Sequence, residues 1–404
     1  MTHVVVVGAG QAGASCVAKL RADGFKGEIT LIGAEPVPPY QRPPLSKAYL
    51  LGDMGQERLF LRPTEFYTNN DIALRLNTRV VAIDAVAHVV VLNNNERLHY
   101  DELVLTVGAH PRTLPASIGG TLDGVFAVRD LADADAMAPA FVAGKRVLIV
   151  GGGYIGLEAA AVASKLGLHV TLVEMAERIL QRVAAPETSD YFRTLHQDHG
   201  VDIREGVGLD RLTGDDHVTG AQLTDGTELA IDFAVVGVGI DPATILADSA
   251  GLTVENGIVT DAFGRTSDPH IWAAGDCATS QFDGQTIRLE SVGNAIDQAE
   301  AVAANIMGAD TPYMPKPWFW SDQFDCKLQI AGLNMGYSEV YIRKGDAPGI
   351  QSNWYYKGGK LLAVDAMNDP RNYMIGKRLI EAGRSPAPAT IMDPATDMKS
   401  LLKA

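Results

Sequence analysis

Cysteine is scarce in this sequence. The chain has 404 residues but only three cysteines, Cys16, Cys277 and Cys326, and no pair of them has C-x-x-C spacing. An odd, dispersed set argues against a disulfide framework and a thiolate-ligated metal, and it favours a reducing compartment. The nine histidines are equally scattered and form no H-E-x-x-H motif. We therefore expect no metal site.

The sequence also lacks long apolar runs and an excess of positive charge. No run approaches the roughly 20 apolar residues that span a bilayer, and the chain starts with a strand pattern instead of a signal peptide. We therefore expect a cytoplasmic protein without a membrane anchor. The formal net charge of −15 argues against nucleic acid or an anionic membrane as the partner.

Glycine, in contrast, is abundant, and its first cluster defines a nucleotide-binding pattern. Four valines at residues 4–7 lead into Gly8-x-Gly10-x-x-Gly13, and an Ala-rich helical pattern follows. Gly8 permits the tight turn, Gly10 lets a pyrophosphate approach the backbone, and Gly13 lets the helix pack closely on the strand. The phosphates would bind at the positive N-terminal end of this helix.

The same pattern occurs a second time. Residues 146–150 form an apolar strand, Gly151, Gly153 and Gly156 repeat the G-x-G-x-x-G spacing around Ile155, and a second Ala-rich helix follows. Two such units, each followed by a second strand, are far stronger evidence than one. Two dinucleotides are therefore predicted.

An acidic residue follows each glycine cluster at the distance expected for a ribose contact. Glu35 comes just after the strand at residues 29–32, and Glu174 ends the strand that begins at Val170. A carboxylate at this position accepts hydrogen bonds from the 2′-hydroxyl of NAD and repels the 2′-phosphate of NADP. Glu174 therefore favours NADH, although Arg178 or Arg182 could still accommodate a phosphate.

The length and these patterns predict an α/β fold with two Rossmann-like dinucleotide-binding domains, as in glutathione reductase, and a smaller α+β C-terminal domain. We assign residues 1–112 and 240–314 to a discontinuous FAD domain, 113–239 to an NAD domain, and 315–404 to the third domain. Gly239 ends a glycine turn at the NAD domain boundary. The segments at residues 385–394 and 398–402 are expected to form a loosely held tail.

Further motifs give the chain a resemblance to a known family. It resembles the FAD-dependent pyridine-nucleotide oxidoreductases, and within them the NADH-dependent ferredoxin reductases of oxygenase systems, of the putidaredoxin reductase type. The resemblance covers residues 1 to about 325. Besides the two glycine patterns, it rests on Pro-Pro-Leu-Ser-Lys at 43–47, the turn at 106–112, Thr-Ser-Asp-Pro at 266–269, Ala-Gly-Asp-Cys at 274–277 and Trp-Phe-Trp-Ser-Asp-Gln at 318–323.

The resemblance implies which residues line each cofactor. For FAD these are, besides the three glycines of the first turn, Ala12, Glu35, Arg42, Lys47, Val80, Arg129, Asp276, Val292 and Trp320. Glu35 lies one position later than the acidic residue of some relatives. For NADH they are Gly151, Gly153, Ile155, Gly156, Glu158, Glu174, Arg182 and Gly239.

Lys47, Glu158 and Trp320 are the residues expected closest to the chemistry. The resemblance implies that Lys47 and Glu158 neutralise each other near flavin N5, and that Trp320 covers or edges the flavin ring. The alternatives are a surface lysine, a glutamate stabilised at a helix N-terminus and a buried anchoring tryptophan.

The absence of cysteine between Cys16 and Cys277 gains meaning from this resemblance. Disulfide reductases and peroxidases of the superfamily carry reactive cysteines in the first domain, so a relay through sulfur is excluded here. We expect NADH to reduce FAD, which then reduces a 2Fe-2S ferredoxin one electron at a time. The alternatives are a rubredoxin reductase, an NADH oxidase, or a redox-sensing flavoprotein resembling apoptosis-inducing factor.

The ferredoxin would dock near the C-terminal domain and the flavin edge. Because such ferredoxins are usually acidic and this chain is too, a local basic patch is required. The candidates gather mainly in the last third of the chain, although each could equally belong to an ordinary solvated surface: Arg288, Lys316, Lys327, Arg343, Lys344, Arg371, Lys377 and Arg378. A monomer or weak dimer is expected.

Overall fold

The computed structural model describes residues 2–282 and 284–403. Its α-helices, in chain order, are α1 Gln11–Ala22, α2 Thr64–Asn69, α3 Leu131–Met137, α4 Tyr154–Lys165, α5 Pro186–Asp198, α6 Ile245–Ser249, α7 Val292–Ile306, α8 Pro370–Glu381 and α9 Pro388–Met392. Its strands are β1 His3–Val7, β2 Glu28–Ile32, β3 Ile72–Arg75, β4 Val80–Asp84, β5 Val89–Leu92, β6 Arg97–His99, β7 Glu102–Leu105, β8 Ala109–Pro111, β9 Val125–Ala127, β10 Arg146–Val150, β11 His169–Glu174, β12 Asp202–Glu205, β13 Leu209–Thr213, β14 Gly220–Leu223, β15 Glu228–Ala230, β16 Phe233–Val236, β17 Ile240–Pro242, β18 Ile258–Val259, β19 Ile271–Ala273, β20 Ala278–Phe282, β21 Gln285–Ile287, β22 Trp318–Gln323, β23 Cys326–Gly332, β24 Glu339–Lys344, β25 Gln351–Lys357 and β26 Lys360–Met367.

The chain divides into two compact units. The first comprises Met1–Gln41, Gln56–His110 and Ile240–Pro317, and the second comprises Arg42–Gly55, Pro111–Gly239 and Trp318–Ala404. The predicted boundaries of the three domains stay a prediction.

The first unit is built on a parallel sheet with the strand order β19-β7-β1-β2-β3. Alternate residues of β1 enter two different cores: Val4 and Val6 pack against α1 and α7, whereas Val5 and Val7 pack on the other side. A strand that is buried on both faces needs a continuous apolar run, which explains the four consecutive valines. Two small sheets, β4-β5-β6 and β18-β20-β21, also belong to this unit.

The second unit repeats this construction. Its parallel sheet has the order β12-β11-β10-β16-β9. Val147 and Ile149 of β10 enter one core, and Leu148 and Val150 enter another. The three-stranded sheet β13-β14-β15 also belongs to this unit.

The second unit also contains an antiparallel sheet with the order β22-β23-β26-β25-β24, against which α8 packs. Trp354, Tyr356 and Leu379 are fully buried in the core between this sheet and α8. The predicted α/β fold class, with two Rossmann-like parts and an α+β C-terminal part, is confirmed.

The prediction of a loosely held tail at residues 385–394 and 398–402 is wrong. Ile391 is fully buried and Met398 is 2% exposed, both in the core beside α8. The Arg343 guanidinium donates to backbone carbonyls of this segment, with 2.8 Å to the oxygen of Ile391. The Pro- and Ala-rich composition conceals these anchors because most of them come from residues outside the segment, including Arg343, Arg384 and Tyr356, whose hydroxyl donates to the oxygen of Pro386.

Candidate functional site

The first glycine turn has the geometry that its sequence predicts. Gly8 has φ +109°, and a Cβ there would collide with the backbone oxygen of Thr106. A Cβ on Gly13 would collide with the oxygen of Gly8, whereas nothing lies within 4 Å of a Cβ on Gly10. The turn is therefore closed by packing at its two outer glycines and open at its middle one, where a phosphate would approach.

The second turn reproduces these features. Gly151 has φ +107°, and a Cβ there would collide with the oxygen of Gly237. A Cβ on Gly156 would collide with Gly151, and a Cβ on Gly153 has no neighbour within 4 Å.

Both helix N-termini are suited to anionic ligands. The N-cap residues of the 12-residue helices α1 and α4 are Gly10 and Gly153, which supply no side-chain cap, and the first turns carry no acidic residue. Amides at such an end lack internal helical partners and carry positive partial charge. The two turns therefore fit the phosphates of two dinucleotides.

The two acidic residues have different partners. Glu35 accepts a hydrogen bond of 2.6 Å from the hydroxyl of Tyr40. Glu174 accepts from the backbone amides of Gly152, at 2.7 Å, and Ala176, at 2.8 Å. These bonds orient the Glu174 carboxylate at the end of β11 beside the second turn, and each of its oxygens keeps acceptor capacity.

The other FAD residues predicted in the first unit lie at element ends. Ala12 is buried in the first turn of α1, Val80 is buried at the start of β4, and Val292 is the first residue of α7. Asp276 follows β19 by three residues, and its backbone oxygen accepts from Arg288 at 3.1 Å.

The remaining predicted FAD residues lie in the second unit. Arg42 donates to the backbone oxygen of Arg129 at 2.6 Å. Trp320 lies on β22, and its ring stacks on Trp318 with 5.4 Å between centroids. The predicted FAD residues therefore lie in both units. Arg42, Lys47, Arg129 and Trp320 belong to the second.

All predicted NAD residues lie in the second unit. Ile155 is 44% exposed near the start of α4, and Arg182 is exposed and lies beside Gly239. Arg178, in contrast, donates to Ser189 Oγ at 2.5 Å and to the oxygen of Ala184 at 2.8 Å. Its guanidinium is therefore engaged by α5 and by the segment before it, which weakens the case that it accommodates a 2′-phosphate.

Lys47 and Glu158 form a mostly buried ion pair. Lys47 Nζ lies 2.5 Å from Glu158 Oε2, and the two side chains are 16% and 5% exposed. A 3-10 turn at Pro43–Ser46 presents Lys47, while Glu158 lies in α4, two residues after Gly156. A buried pair is stable only where further hydrogen bonds satisfy the charges.

Two serines supply those bonds, and sequence reasoning did not select them. Ser46 Oγ donates to Glu158 Oε2 at 3.0 Å, and Ser321 Oγ donates to Glu158 Oε1 at 2.7 Å. Both belong to the family motifs at residues 43–47 and 318–323, so position within a motif was the available signal. Together with Lys47 they give the carboxylate three donors.

All three cysteines are buried and unpaired. Burial raises the pKa of the Cys16 thiol to about 12 and that of Cys277 to about 11. Thiols with such values are not thiolates near neutral pH and do not act as nucleophiles. Within residues 2–282 and 284–403, no group of His, Cys, Asp and Glu side chains could hold a metal, and no helix is long and apolar enough to cross a membrane.

Comparison with known proteins agrees with this geometry. Residues 2–299 match the family model described as pyridine nucleotide-disulphide oxidoreductase, and residues 318–402 match the reductase C-terminal model. A ferredoxin–NAD(P)(+) reductase of Sphingomonas sp. is 42% identical over 99% of this chain and 98% of its own. Putidaredoxin reductase of Pseudomonas putida is 40% identical over 100% and 97%, and a rubredoxin–NAD(+) reductase of the same species is 38% identical over 91% and 96%.

The solved structure of a covalent putidaredoxin reductase–putidaredoxin complex superposes with a TM-score of 0.96, at 39% identity over 100% of this chain and 98% of the other. These findings confirm the predicted enzyme class and the pair of cofactors, FAD and NADH, and they support a ferredoxin as partner. The chain belongs to the pyridine nucleotide-disulphide oxidoreductase family, among its ferredoxin reductases.

Proposed function

We propose that this chain takes electrons from NADH through FAD and delivers them singly to a 2Fe-2S ferredoxin, which serves a haem monooxygenase or a related oxygenase. The observation that carries the proposal is the pair of matching glycine turns, each at the open N-terminus of a 12-residue helix. The turn at Gly8, Gly10 and Gly13 would hold FAD. The turn at residues 151–156 would hold NADH.

The chain's own contribution is binding and electrostatics. When bound, FAD accepts an electron pair from NADH and can release single electrons. Lys47 would stabilise the negative charge that develops near flavin N5. Glu158 would balance the Lys47 ammonium, and its three donors keep the carboxylate from moving toward other cations.

Glu174 would select NADH over NADPH. Its carboxylate is fixed by two backbone amides at the end of β11, the position from which an acid reaches the ribose diol. A 2′-phosphate there would meet a negative charge that cannot rotate away.

The α8 helix is the part of the basic patch with the strongest support. Arg371 and Arg378 are exposed on it, and Lys377 Nζ lies 5.4 Å from the ring centroid of Trp318. Arg371 also pairs with Asp397 at 3.0 Å and Lys377 with Glu381 at 4.0 Å, so Arg378 is the cation of this helix with the most accessible charge. Trp318 in turn stacks on Trp320, the tryptophan expected at the flavin edge. Arg343 instead holds the C-terminal segment, and Arg288 pairs with Glu290 at 2.6 Å.

Charge reversal tests this docking surface. The double variant Lys377→Glu/Arg378→Glu should slow reduction of an acidic ferredoxin by about tenfold or more at low salt, because attraction of opposite charges speeds association. NADH–ferricyanide activity should stay unchanged. Lys26→Glu/Lys357→Glu, at two exposed lysines outside the patch, changes the net charge equally and is the matched control. Equal losses in both assays would remove α8 from the surface.

Stopped-flow absorbance tests the function itself. NADH should bleach the flavin of the purified holoenzyme much faster than NADPH does, and the reduced enzyme should then reduce a 2Fe-2S ferredoxin. A rubredoxin is the acceptor to compare, because one similar protein is a rubredoxin reductase. A flavin that NADH does not bleach would overturn the proposal, and fast reduction of rubredoxin alone would change the acceptor.

We also keep two expectations as proposals: a cytoplasmic location, supported by three unpaired cysteines, and a monomer or weak dimer. Sedimentation velocity with and without NADH measures the second. Dimerisation driven by NADH would instead favour the redox-sensing alternative.

A further inference from the structure

A buried chain of polar side chains leads away from the ion pair. Glu158 of α4 is bonded to Ser321 of β22, and Ser321 Oγ lies 3.1 Å from Gln323 Nε2 on the same strand. Gln323 Oε1 lies 2.8 Å from Nε2 of His196 on α5. Ser321, Gln323 and His196 have no exposed surface, and Glu158 is 4% exposed.

The donors and acceptors favour one direction of hydrogen-bond donation along these side chains, from His196 to Glu158. A carboxylate only accepts, so the single hydroxyl proton of Ser321 is used toward Glu158, and Ser321 Oγ must accept from the amide of Gln323. The carbonyl of that amide then faces His196 and also only accepts. His196 must therefore carry its proton on Nε2, and every bond in the chain donates toward Glu158.

The reverse direction of hydrogen bonding is disfavoured by the surroundings of His196. It would require a protonated Glu158, a rotated Gln323 amide and a proton on His196 Nδ1. His196 Nδ1 is buried and has no hydrogen-bond partner among the described residues. A bare acceptor there is tolerated, whereas an unpaired buried N–H is rare and costly.

We propose that His196 is a positioning residue for the Lys47–Glu158 pair: through Gln323 and Ser321 it fixes Glu158 as a hydrogen-bond acceptor aimed at Lys47. This inference rests on the proposed role of that pair in flavin reduction. His196 itself touches neither Lys47 nor Glu158. The proton on His196 Nε2 fixes the orientation of the Gln323 amide, and that amide fixes the orientation of the Ser321 hydroxyl toward the Glu158 carboxylate.

The surroundings keep His196 neutral. Burial lowers the pKa of His196 to about 4, and the nearby His199 contributes to the lowering. His199 lies at the C-terminal end of α5, stacks on Phe324 and contacts the backbone oxygen of Leu195. The Nε2–H tautomer therefore persists through the neutral pH range.

Nitrogen NMR of the holoenzyme with ring-labelled histidine tests the tautomer directly. His196, assigned by comparison with His196→Gln, should show the Nε2–H pattern from pH 5.5 to 8 without titrating. The Nδ1–H pattern, or titration near the ordinary histidine pKa of about 6.5, would overturn the proposal. This measurement does not depend on turnover.

Two substitutions separate positioning from packing. His196→Met keeps the volume but removes the donor, whereas His196→Gln can place an N–H near the former Nε2. We expect His196→Met to slow flavin reduction by saturating NADH by roughly two- to tenfold, the value of one hydrogen bond, with the KM for NADH unchanged. His196→Gln should restore the rate, and His199→Gln, at the C-cap of α5, should leave it unaltered.

Each outcome has a separate meaning. Equal losses in His196→Met and His196→Gln, or a change confined to KM, would overturn the positioning role. Retained thermal stability in both variants would show that any rate loss is not caused by unfolding. If NADH fails to bleach the wild-type flavin, the proposed function fails and the catalytic purpose of the chain fails with it, whereas a wrong tautomer in a NADH-reducible enzyme overturns only this inference.

Discussion

The two glycine turns share one backbone design but distribute space differently. In the first turn, Ala9 faces Gly33 at the end of β2, and a Cβ on Gly33 would lie 2.7 Å from that of Ala9. In the second, the corresponding residues are Gly152 and Glu174. In the first unit the glycine of this pair lies at the strand end, and in the second it lies in the turn. The strand end of the second unit can therefore carry the acidic side chain.

This exchange explains part of the difference in distance between each turn and its acidic residue. Glu174 occupies the strand end itself and accepts a hydrogen bond from Gly152, whose missing side chain makes room for it. The first unit has no such room at Gly33, and its acid comes two residues later, at Glu35. Glu35 follows Gly8 by 27 residues and Glu174 follows Gly151 by 23. The position of the glycine accounts for two of these four extra residues, and the longer connection between α1 and β2 accounts for the other two.

A second difference concerns buried ionisable side chains. Within the described part of the first unit, no Asp, Glu, Lys, Arg or His is buried, whereas the second unit buries Glu158, His196, Asp365 and Asp369. Asp365 accepts from Thr188 at 2.8 Å and from the hydroxyl of Tyr355. The second unit should therefore carry the pH response of the fold.

The largest expected effect tests whether the two turns are equivalent. Gly13→Ala and Gly156→Ala each place a Cβ against a backbone oxygen that cannot move aside. We expect each to lower the free energy of unfolding by more than about 4 kcal/mol, the range of severe core defects. Urea unfolding of both holoenzymes measures the losses. Tolerance of one substitution and not the other would break the equivalence.

A smaller effect tests the contrast in buried charge. Burial raises the pKa of Asp365 from 3.8 to about 6, so the folded state loses stability as pH rises from about 4 to about 6. Burial lowers the pKa of His196 from 6.5 to about 4, so stability is lost as pH falls through that window. Each amounts to about 3 kcal/mol and the two oppose each other.

In the wild type the contributions of Asp365 and His196 oppose each other, so single substitutions are needed to measure each pH dependence. Relative to the wild type, Asp365→Asn should gain about 3 kcal/mol of unfolding free energy as pH rises from 4 to 6.5. His196→Gln should gain a similar amount relative to the wild type as pH falls over the same range. Urea unfolding across this pH range measures both slopes. Asp346→Asn, at an exposed residue of the same unit, is the control, and parallel profiles for all the variants would contradict the prediction.

The middle glycines give the next effect, and it should appear in binding only. Gly10→Ala and Gly153→Ala place a Cβ in open space, so stability should change little. The added methyl group would meet the pyrophosphate instead, and we expect about 10- to 100-fold weaker binding of FAD in the first case and of NADH in the second. Fluorescence titration measures the two affinities, and loss of the same ligand in both would contradict the assignment.

Local patterns predict the turns well because most of their requirements arise within one strand–turn–helix unit. A Cβ on Gly13 or Gly156 would collide with the first glycine of its own turn, and Glu174 accepts a hydrogen bond from Gly152 of the second turn. The chain from Glu158 to His196 could not be predicted this way, because His196 lies 127 residues from Gln323 and no periodicity joins them. The prediction of a loosely held C-terminal segment failed for the same reason, because side chains outside that segment hold it in place.

The smallest effect tests the exchange of glycines by a double-mutant cycle. Gly33→Ala should destabilise the protein by about 1 kcal/mol, the low end of the cost of overpacking, because one methyl group meets Ala9. Adding Ala9→Gly should recover most of that loss, since it recreates the small residue of the second turn, and thermal unfolding of the four proteins gives the coupling energy. Additive losses would mean that Ala9 and Gly33 do not share this space. Coupling would show that either position of this pair can hold the glycine.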